Sequence, residues 1–150
     1  MSKINCLPSE AAAVTAIIVP DARGAGSVTS TYVNMGLFER VQFIIQTGEM
    51  AATSTLNASI VQATDASGTG VKALTTAKAI TELGATDDNK QVIVNVLAED
   101  LDMANNFDFA AITCVVANAS VDYAVVGVAH NPRYAPASDN DASTVDEIVS

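Results

Sequence analysis

The stretch Val41–Thr47 reads VQFIIQT and decides the fold class of the chain. Val41, Phe43 and Ile45 fall on one side of an extended backbone, and two glutamines fall on the other. Alternation with a period of two, rich in β-branched and aromatic side chains, is the pattern of a strand with one buried face. Residues 41–47 therefore predict a β-strand.

Further strands are predicted on both sides of this stretch. The alternation returns in Leu56–Ala63, and β-branched residues fill Gln91–Leu97. Two later strands are apolar on both faces, and a hairpin turn is predicted between them: Phe109–Ala117 and Val121–Ala129, joined by Asn118–Ser120. The segment Val71–Leu83 fits a short helix capped by Thr76 or a strand. We favour the strand because its neighbours are strands.

Short strands with turns at regular spacing predict an all-β, single-domain β-sandwich or barrel of the jelly-roll kind. The length of 150 residues suits one domain. Residues 31–136 make up this β domain. Residues 1–30 are irregular and carry the glycines of Gly24–Gly26, so they predict an extended N-terminal arm. Residues 137–150 hold four acids and no base, and they predict a flexible C-terminal tail.

The apolar run Ala11–Val19 could instead belong to a secretory signal. Pro8 and Glu10 before it and the sequence Pro20–Arg23 after it fit such a signal poorly. No stretch approaches the length that a membrane-spanning helix needs. We therefore expect a chain that folds in the cytoplasm.

The composition points to a subunit that a second protein covers. Charged residues are 16% of the chain, below the usual quarter, and Trp is absent. So little charge leaves apolar surface that a partner often buries. The net charge is −10, and the few bases form no cluster, so we expect no direct contact with nucleic acid or an anionic membrane.

No set of residues predicts catalysis. His130 is the one histidine, and it follows a strand without a matching partner, so a structural role is favoured. Cys114 lies in mid-strand and lacks the electropositive setting that activates a thiol. We expect it to be buried, and we expect no disulfide between it and Cys6. We predict no enzyme and no catalytic residue.

Phosphate and metal sites are also disfavoured. The glycine pairs in Gly24–Gly26 and Gly68–Gly70 lack the residues that complete a phosphate loop. Three acidic loops could supply oxygen ligands to calcium: Asp87–Asn89, Glu99–Asp102 and Asp139–Ser150. The last begins like a calcium loop but has Thr144 where glycine is needed and Ser150 where the bidentate Glu is needed. Solvated loops are the favoured interpretation, and we predict no metal and no cofactor.

Several turn sequences are similar to those of small virion proteins of tailed bacteriophages. They span roughly two-thirds of the chain, from Tyr32 to Pro136: Phe43–Gly48, Gln62–Gly70, Asp87–Val92, Ala98–Asp102 and Pro132–Pro136. The resemblance implies a β-fold capsid decoration, or cement, protein. Such a protein binds the major capsid protein on the outside of the icosahedral shell, often as a trimer, and has no catalytic residue.

The expected function is therefore a structural virion protein, assembled in the host cytoplasm, that stabilises the capsid from outside. We expect residues 1–30 to contact the shell or a neighbouring subunit. A head-completion, connector or tail protein is the nearest alternative. A secreted calcium- or carbohydrate-binding β module is the alternative from another class, and the scarcity of aromatic residues weighs against it.

Overall fold

A computed structural model describes residues 5–150 of the chain. Ten strands run through this part: β1 (Ala12–Arg23), β2 (Gly26–Thr29), β3 (Val33–Asn34), β4 (Phe38–Met50), β5 (Thr55–Ala63), β6 (Lys72–Ala73), β7 (Leu83–Gly84), β8 (Gln91–Leu97), β9 (Phe109–Ala117) and β10 (Val121–Pro132). The helical pieces are short: α1 (Pro8–Ala11) and three 3-10 turns, at Ala98–Asp100, Met103–Asn105 and Ala137–Asn140.

The strands form two antiparallel sheets. The four-stranded sheet has the order β1-β10-β4-β8. The six-stranded sheet has the order β2-β9-β5-β6, with β3 beside β9 and β7 beside β5. The pairs β1/β10, β2/β9, β4/β8 and β5/β6 are nested along the chain, as in a long hairpin rolled into two layers, which is the jelly-roll arrangement. The predicted all-β fold is confirmed, and the sandwich is the form it takes.

The core lies between the inner faces of the two sheets. Alternate residues along most of β4, β5, β9 and β10 point into it, and for β4 and β5 the alternation in the sequence predicted this. The four-stranded sheet contributes Phe43, Ile45 and Val125, and the six-stranded sheet contributes Ile60 and Ile112, all at most 1% exposed. Aliphatic side chains dominate, so the two layers pack with little aromatic content.

Gly127 allows a close approach in the middle of this core. A Cβ at Gly127 would lie 2.7 Å from the Cβ of Ala16 and 3.2 Å from the Phe43 ring. Gly127 on β10 lies opposite Ala16 on β1 and opposite Phe43 on β4, and all three residues face inward. The absent side chain therefore makes room for the Phe43 ring.

The N-terminal region differs from the predicted extended arm. Strand β1 is an edge strand of the four-stranded sheet, and β2 pairs with β9. The pairing of β1 with β10 shifts between Val14 and Ala16 and again between Ile18 and Asp21. Such bulges break the two-residue alternation, so the sequence of β1 does not read as a strand. The first four residues of the predicted arm lie outside the described residues.

The predicted hairpin between β9 and β10 is wrong. Both strands exist, but β9 pairs with β2 and β5 in one sheet, and β10 pairs with β1 and β4 in the other. Asn118–Ser120 therefore crosses from sheet to sheet. Each strand is central in its own sheet, so strong apolar character indicated burial correctly but did not indicate which strands pair.

Two other segments depart from expectation. Val71–Leu83 forms neither a helix nor one strand, and its extended residues contact β5 in short pieces, at β6, at Ala79 and at β7. The C-terminal segment is docked at its start, where Ala137 is buried and the amide of Ala142 donates to the Val14 carbonyl at 2.6 Å. Residues 143–150 form no helix or strand.

Candidate interaction surface

The two residues with catalytic potential lie on different layers. Cys114 is a free thiol on β9 inside the sandwich, with no exposed surface, and burial raises its pKa to about 12 despite the nearby Arg23. His130 lies on β10, where it pairs with Arg40 and Ala12 on the outward face of the four-stranded sheet. A buried, protonated thiol is a poor nucleophile, and this histidine is placed away from it.

The acidic loops hold the fold together at chain reversals. Asp87 accepts a hydrogen bond from the Gly84 amide at 2.9 Å, and Asp88 accepts one from the Met50 amide at 2.7 Å. Asp141 accepts from the Val14 amide at 2.8 Å. Among residues 5–150, no three His, Cys, Asp or Glu side chains are grouped as metal ligands. The carboxylates predicted as calcium candidates instead satisfy main-chain donors.

Asp100 and Asp102 each form an ion pair with a lysine. Lys78 donates to Asp100 at 2.6 Å, and Lys72 donates to Asp102 at 2.7 Å. Partial burial raises the pKa of Asp100, but the hydrogen bonds from Lys78 and the Leu97 amide outweigh it, so the net pKa is lowered. Hydrogen bonds from Lys72 and Asn105 lower the pKa of Asp102. Both carboxylates are anionic partners of lysines at neutral pH.

The glycine pairs that were disfavoured as phosphate loops lie in turns of the chain. Gly68 adopts a positive φ of 84°, and a Cβ there would lie 2.8 Å from the Tyr32 hydroxyl. The turn is closed by Asp65, whose carboxylate accepts from the amides of Ser67 and Thr69. A Cβ added to Gly24 would have no neighbouring atom within 4 Å. These turns contain no completed anion cradle.

The outward face of the four-stranded sheet carries an unusual line of side chains. One residue from each strand lies in a single row across the sheet, and all four are apolar: Ile17, Val126, Ile44 and Ile93. We call these four residues the apolar row. Val126 is 39% exposed and Ile93 is 54% exposed. The neighbouring row of Val14, Val128, Gln42 and Asn95 extends the apolar area on two strands.

Opposite charges flank the apolar row. On one side of the row, four residues along the strands, lie Arg40 and His130. They are paired between β4 and β10 and border a shallow depression of about 450 Å³. At the other end lies Asp122, whose side chain approaches Gly48 across the same two strands. This end borders a second depression, of about 440 Å³. The face is therefore apolar across its middle, with the Arg40 guanidinium near one end of the strands and the Asp122 carboxylate near the other. Arg40 also lies 3.8 Å from the carboxylate of Glu39.

The outward face of the six-stranded sheet is different. Thr29, Thr113 and Ser59 form a row of hydroxyls across β2, β9 and β5, which we call the hydroxyl row. The hydroxyls of Thr29 and Thr113 are 2.8 Å apart. In the next row, Val115 is flanked by Ser27 and Asn57. The two threonine hydroxyls are therefore in contact with each other, and the half-exposed Val115 has a polar residue on each neighbouring strand.

The edge of the four-stranded sheet at β1 is closed. The amide and carbonyl of Val14 bond to Asp141 and Ala142. The Thr31 hydroxyl accepts from the Ile17 amide at 3.2 Å and donates to the Thr15 carbonyl at 3.4 Å. At the other edge, Lys78 donates to the Asn95 carbonyl of β8 at 3.0 Å. Side chains and a charged lysine at sheet edges discourage strand addition.

The sequence contained part of the signal for this surface. Ile44 stands between Gln42 and Gln46 on the outward side of VQFIIQT, where the alternation requires a polar residue. The sequence does not show that Val126 faces outward, because its neighbours on the strand are also apolar. It does not show this for Ile17, because the bulges of β1 interrupt the alternation. The row itself depends on which strands pair, and single-strand periodicity carries no such information.

No protein-family model matches the chain, and no curated protein matches it. Among solved structures, a chain from the structure of infectious bursal disease virus, Gx strain, is similar over 84% of this chain, with 11% sequence identity and a TM-score of 0.40. The match covers 32% of that viral chain, so this chain spans about a third of its length. Within residues 5–150, no helix has the length and apolar character needed to cross a bilayer.

Proposed function

We propose that the chain is a structural virion protein that binds the outer capsid surface of a tailed phage and stabilises the shell. In this role it binds the major capsid protein and further copies of itself, and the assembly expected on the shell, as distinct from free solution, is a trimer. It carries no catalytic residue or cofactor and does not contact nucleic acid. Its place is the exterior of the particle.

The observation that supports this proposal best is the uncovered apolar face of the four-stranded sheet. A folded chain that functions alone seldom leaves a row of isoleucine and valine partly or fully exposed across a whole sheet, because covering it with a protein partner is favourable. Jelly-roll sandwiches occur in viral capsid and lectin domains, although a fold by itself does not establish function. The apolar outward face of the four-stranded sheet is an argument for a protein partner that comes from the residues of this chain.

The charge distribution supports an outer position. A net charge of −10 disfavours contact with packaged DNA, whose phosphates repel an acidic surface. We no longer propose residues 1–30 as an arm that contacts the shell, because β1 and β2 belong to the sheets. In our proposal the outward faces and the loops between sheets provide the contacts instead.

A binding experiment on phage heads tests the proposal. Purified chain is added to expanded, DNA-filled heads that lack it, and bound copies are counted by gel densitometry and located by electron cryomicroscopy. We expect attachment over the whole shell in a fixed ratio to the major capsid protein. Heads that already carry the chain are the control and should take up none.

Other outcomes would overturn this role. Density at a single vertex or along the tail would replace decoration with a head-completion, connector or tail role. Failure to bind heads at any concentration would reject the capsid-binding proposal.

A further inference from the structure

We infer that the apolar row is the contact surface for a second copy of this chain, related to the first by a two-fold axis that runs along the row. The two four-stranded sheets then pack face to face. This inference rests on the residues of the face alone and does not require the proposed role in a virion.

The residues of β10 are symmetric about the row in the way that such an axis requires. Val126 lies on the row, His130 follows it by four residues, and Asp122 precedes it by four residues. Rotation about the row exchanges the two ends of the strand. His130 of one copy therefore faces Asp122 of the second copy, and the same contact forms again at the other end.

Strand β4 repeats this complementarity. Ile44 lies on the row, and Arg40 and Gly48 lie four residues to either side. Because Asp122 packs beside Gly48, Arg40 of one copy also approaches Asp122 of the second copy. Nearer the axis, Gln42 faces Gln46, and two amides in that position can exchange hydrogen bonds.

An axis along the strands is excluded by the same charges. It would exchange β10 with β4, and Arg40 of one copy would face His130 of the other. Asp122 would then have no cation opposite it. Only the axis along the row brings Arg40 of each copy towards Asp122 of the other, and such complementarity sets the register of an interface.

The size of the face is sufficient for a weak, specific dimer. Three strands counted over nine residues and β8 over its seven residues, about 4.8 Å apart and at about 3.3 Å per residue, cover about 540 Å² on each copy. The total of about 1,100 Å² is near the lower end of specific interfaces. We therefore expect a dimer that dissociates on dilution, with aligned packing of the two sheets.

Sedimentation velocity of the full chain over a wide concentration range tests the contact. We expect a monomer–dimer equilibrium. Val126→Lys should weaken the dimer by about tenfold or more, because the axis places the two lysines against each other. The matched control is Val115→Lys. Val115 is 42% exposed on the outward face of the other sheet, against 39% for Val126, and this variant should dimerise as the wild type does.

A charge exchange tests the axis without altering the apolar row. Asp122→Arg alone, and Arg40→Asp combined with His130→Asp, should each weaken self-association by about tenfold. Mixed together, the two variants should form a heterodimer, since every cation again faces an anion. This mixture keeps the inference testable even if Val126→Lys fails to fold.

Three results would overturn the inference. They are a monomer at every concentration, equal loss of the dimer with Val115→Lys, and no recovery in the charge-exchange mixture. A trimer that survives Val126→Lys would also reject the two-fold contact, while leaving the proposed binding to phage heads intact. Head binding that fails while the dimer behaves as expected would reject only the proposed function.

Discussion

The two sheets of the sandwich bury similar inner faces and present different outer ones. Inside, both supply aliphatic side chains at every second position. Outside, the four-stranded sheet presents the apolar row, and the six-stranded sheet presents the hydroxyl row. Since a folded core requires only the inner faces, the difference between the outer faces reflects what lies against them. In the dimer inferred above, the outer face of the four-stranded sheet is the contact, and the outer face of the six-stranded sheet is exposed to solvent.

The contrast between inner and outer faces is sharpest on β4, where Phe43 and Ile44 are adjacent. Phe43 has no exposed surface, and Phe43→Ala should destabilise the fold by about 3–5 kcal/mol because it removes a ring and leaves a cavity. Ile44→Ala should cost less than about 1 kcal/mol in the monomer. Urea unfolding at low protein concentration measures both. Equal losses would show that the outward face is covered within the folded chain.

Gly127 tests how tightly neighbouring side chains pack on the inner face of the four-stranded sheet. Gly127→Ala should cost about 1–3 kcal/mol, because the added Cβ would overlap Ala16 and press on the Phe43 ring. Gly24→Ala is the control, since nothing lies within 4 Å of its Cβ position. Thermal unfolding followed by circular dichroism compares the two. An unchanged melting temperature for Gly127→Ala would mean that the core has spare room there.

The sequence predicted the inner faces better than the arrangement of strands. The strands at Val41–Thr47 and Leu56–Ala63 were recognised because one buried face imposes alternation, and Gln91–Leu97 was recognised because β-branched residues fill it. Strand β1 was missed because its two bulges shift the register. The hairpin assigned to Asn118–Ser120 was wrong because apolar character shows that a strand is buried, without specifying its neighbour.

The candidate surface was predictable only in fragments for the same reason. Ile44 violates the polar side of its strand, and that violation is visible in the sequence. The row formed with Ile17, Val126 and Ile93 requires three strand pairings between residues far apart in the chain. The same is true of the charges, since Arg40 and His130 become neighbours only through the pairing of β4 with β10.

Lys78 links the two sheets, and its partner Asp100 makes that link dependent on pH. Lys78 lies beside β5 of the six-stranded sheet and donates to Asp100 and to Asn95 of the four-stranded sheet. The pKa of Asp100 is lower in the folded chain than in the unfolded chain. The ionised carboxylate therefore stabilises the fold above the unfolded pKa of about 3.9, and this contribution is lost as pH falls through the folded pKa.

Asp100→Asn should accordingly reduce the free energy of unfolding at neutral pH by up to about 1 kcal/mol. The difference from wild type should close in acid, where both side chains are uncharged. Asp146→Asn, in the exposed C-terminal segment, is the control and should have no effect at either pH. Urea unfolding at several pH values measures the difference. A constant difference at all pH values would assign the role of Asp100 to shape instead of charge.

The smallest expected effect concerns the hydroxyl row, where Thr29 and Thr113 lie opposite each other on β2 and β9. Their hydroxyls are in contact at 2.8 Å but remain accessible to water, so each can exchange its partner for solvent at little cost. A double-mutant cycle of Thr29→Val and Thr113→Val should give a coupling free energy of a few tenths of a kcal/mol in urea unfolding.

The double variant should form the same dimer as the wild type through the apolar row and no larger assembly, because the new valines have no charged residues beside them to align a further copy. The two valines can also be added to the Val126→Lys variant. If this triple variant regained a dimer, apolar area alone would be enough to bind a second copy. The charges beside the apolar row would then not be what selects the partner surface.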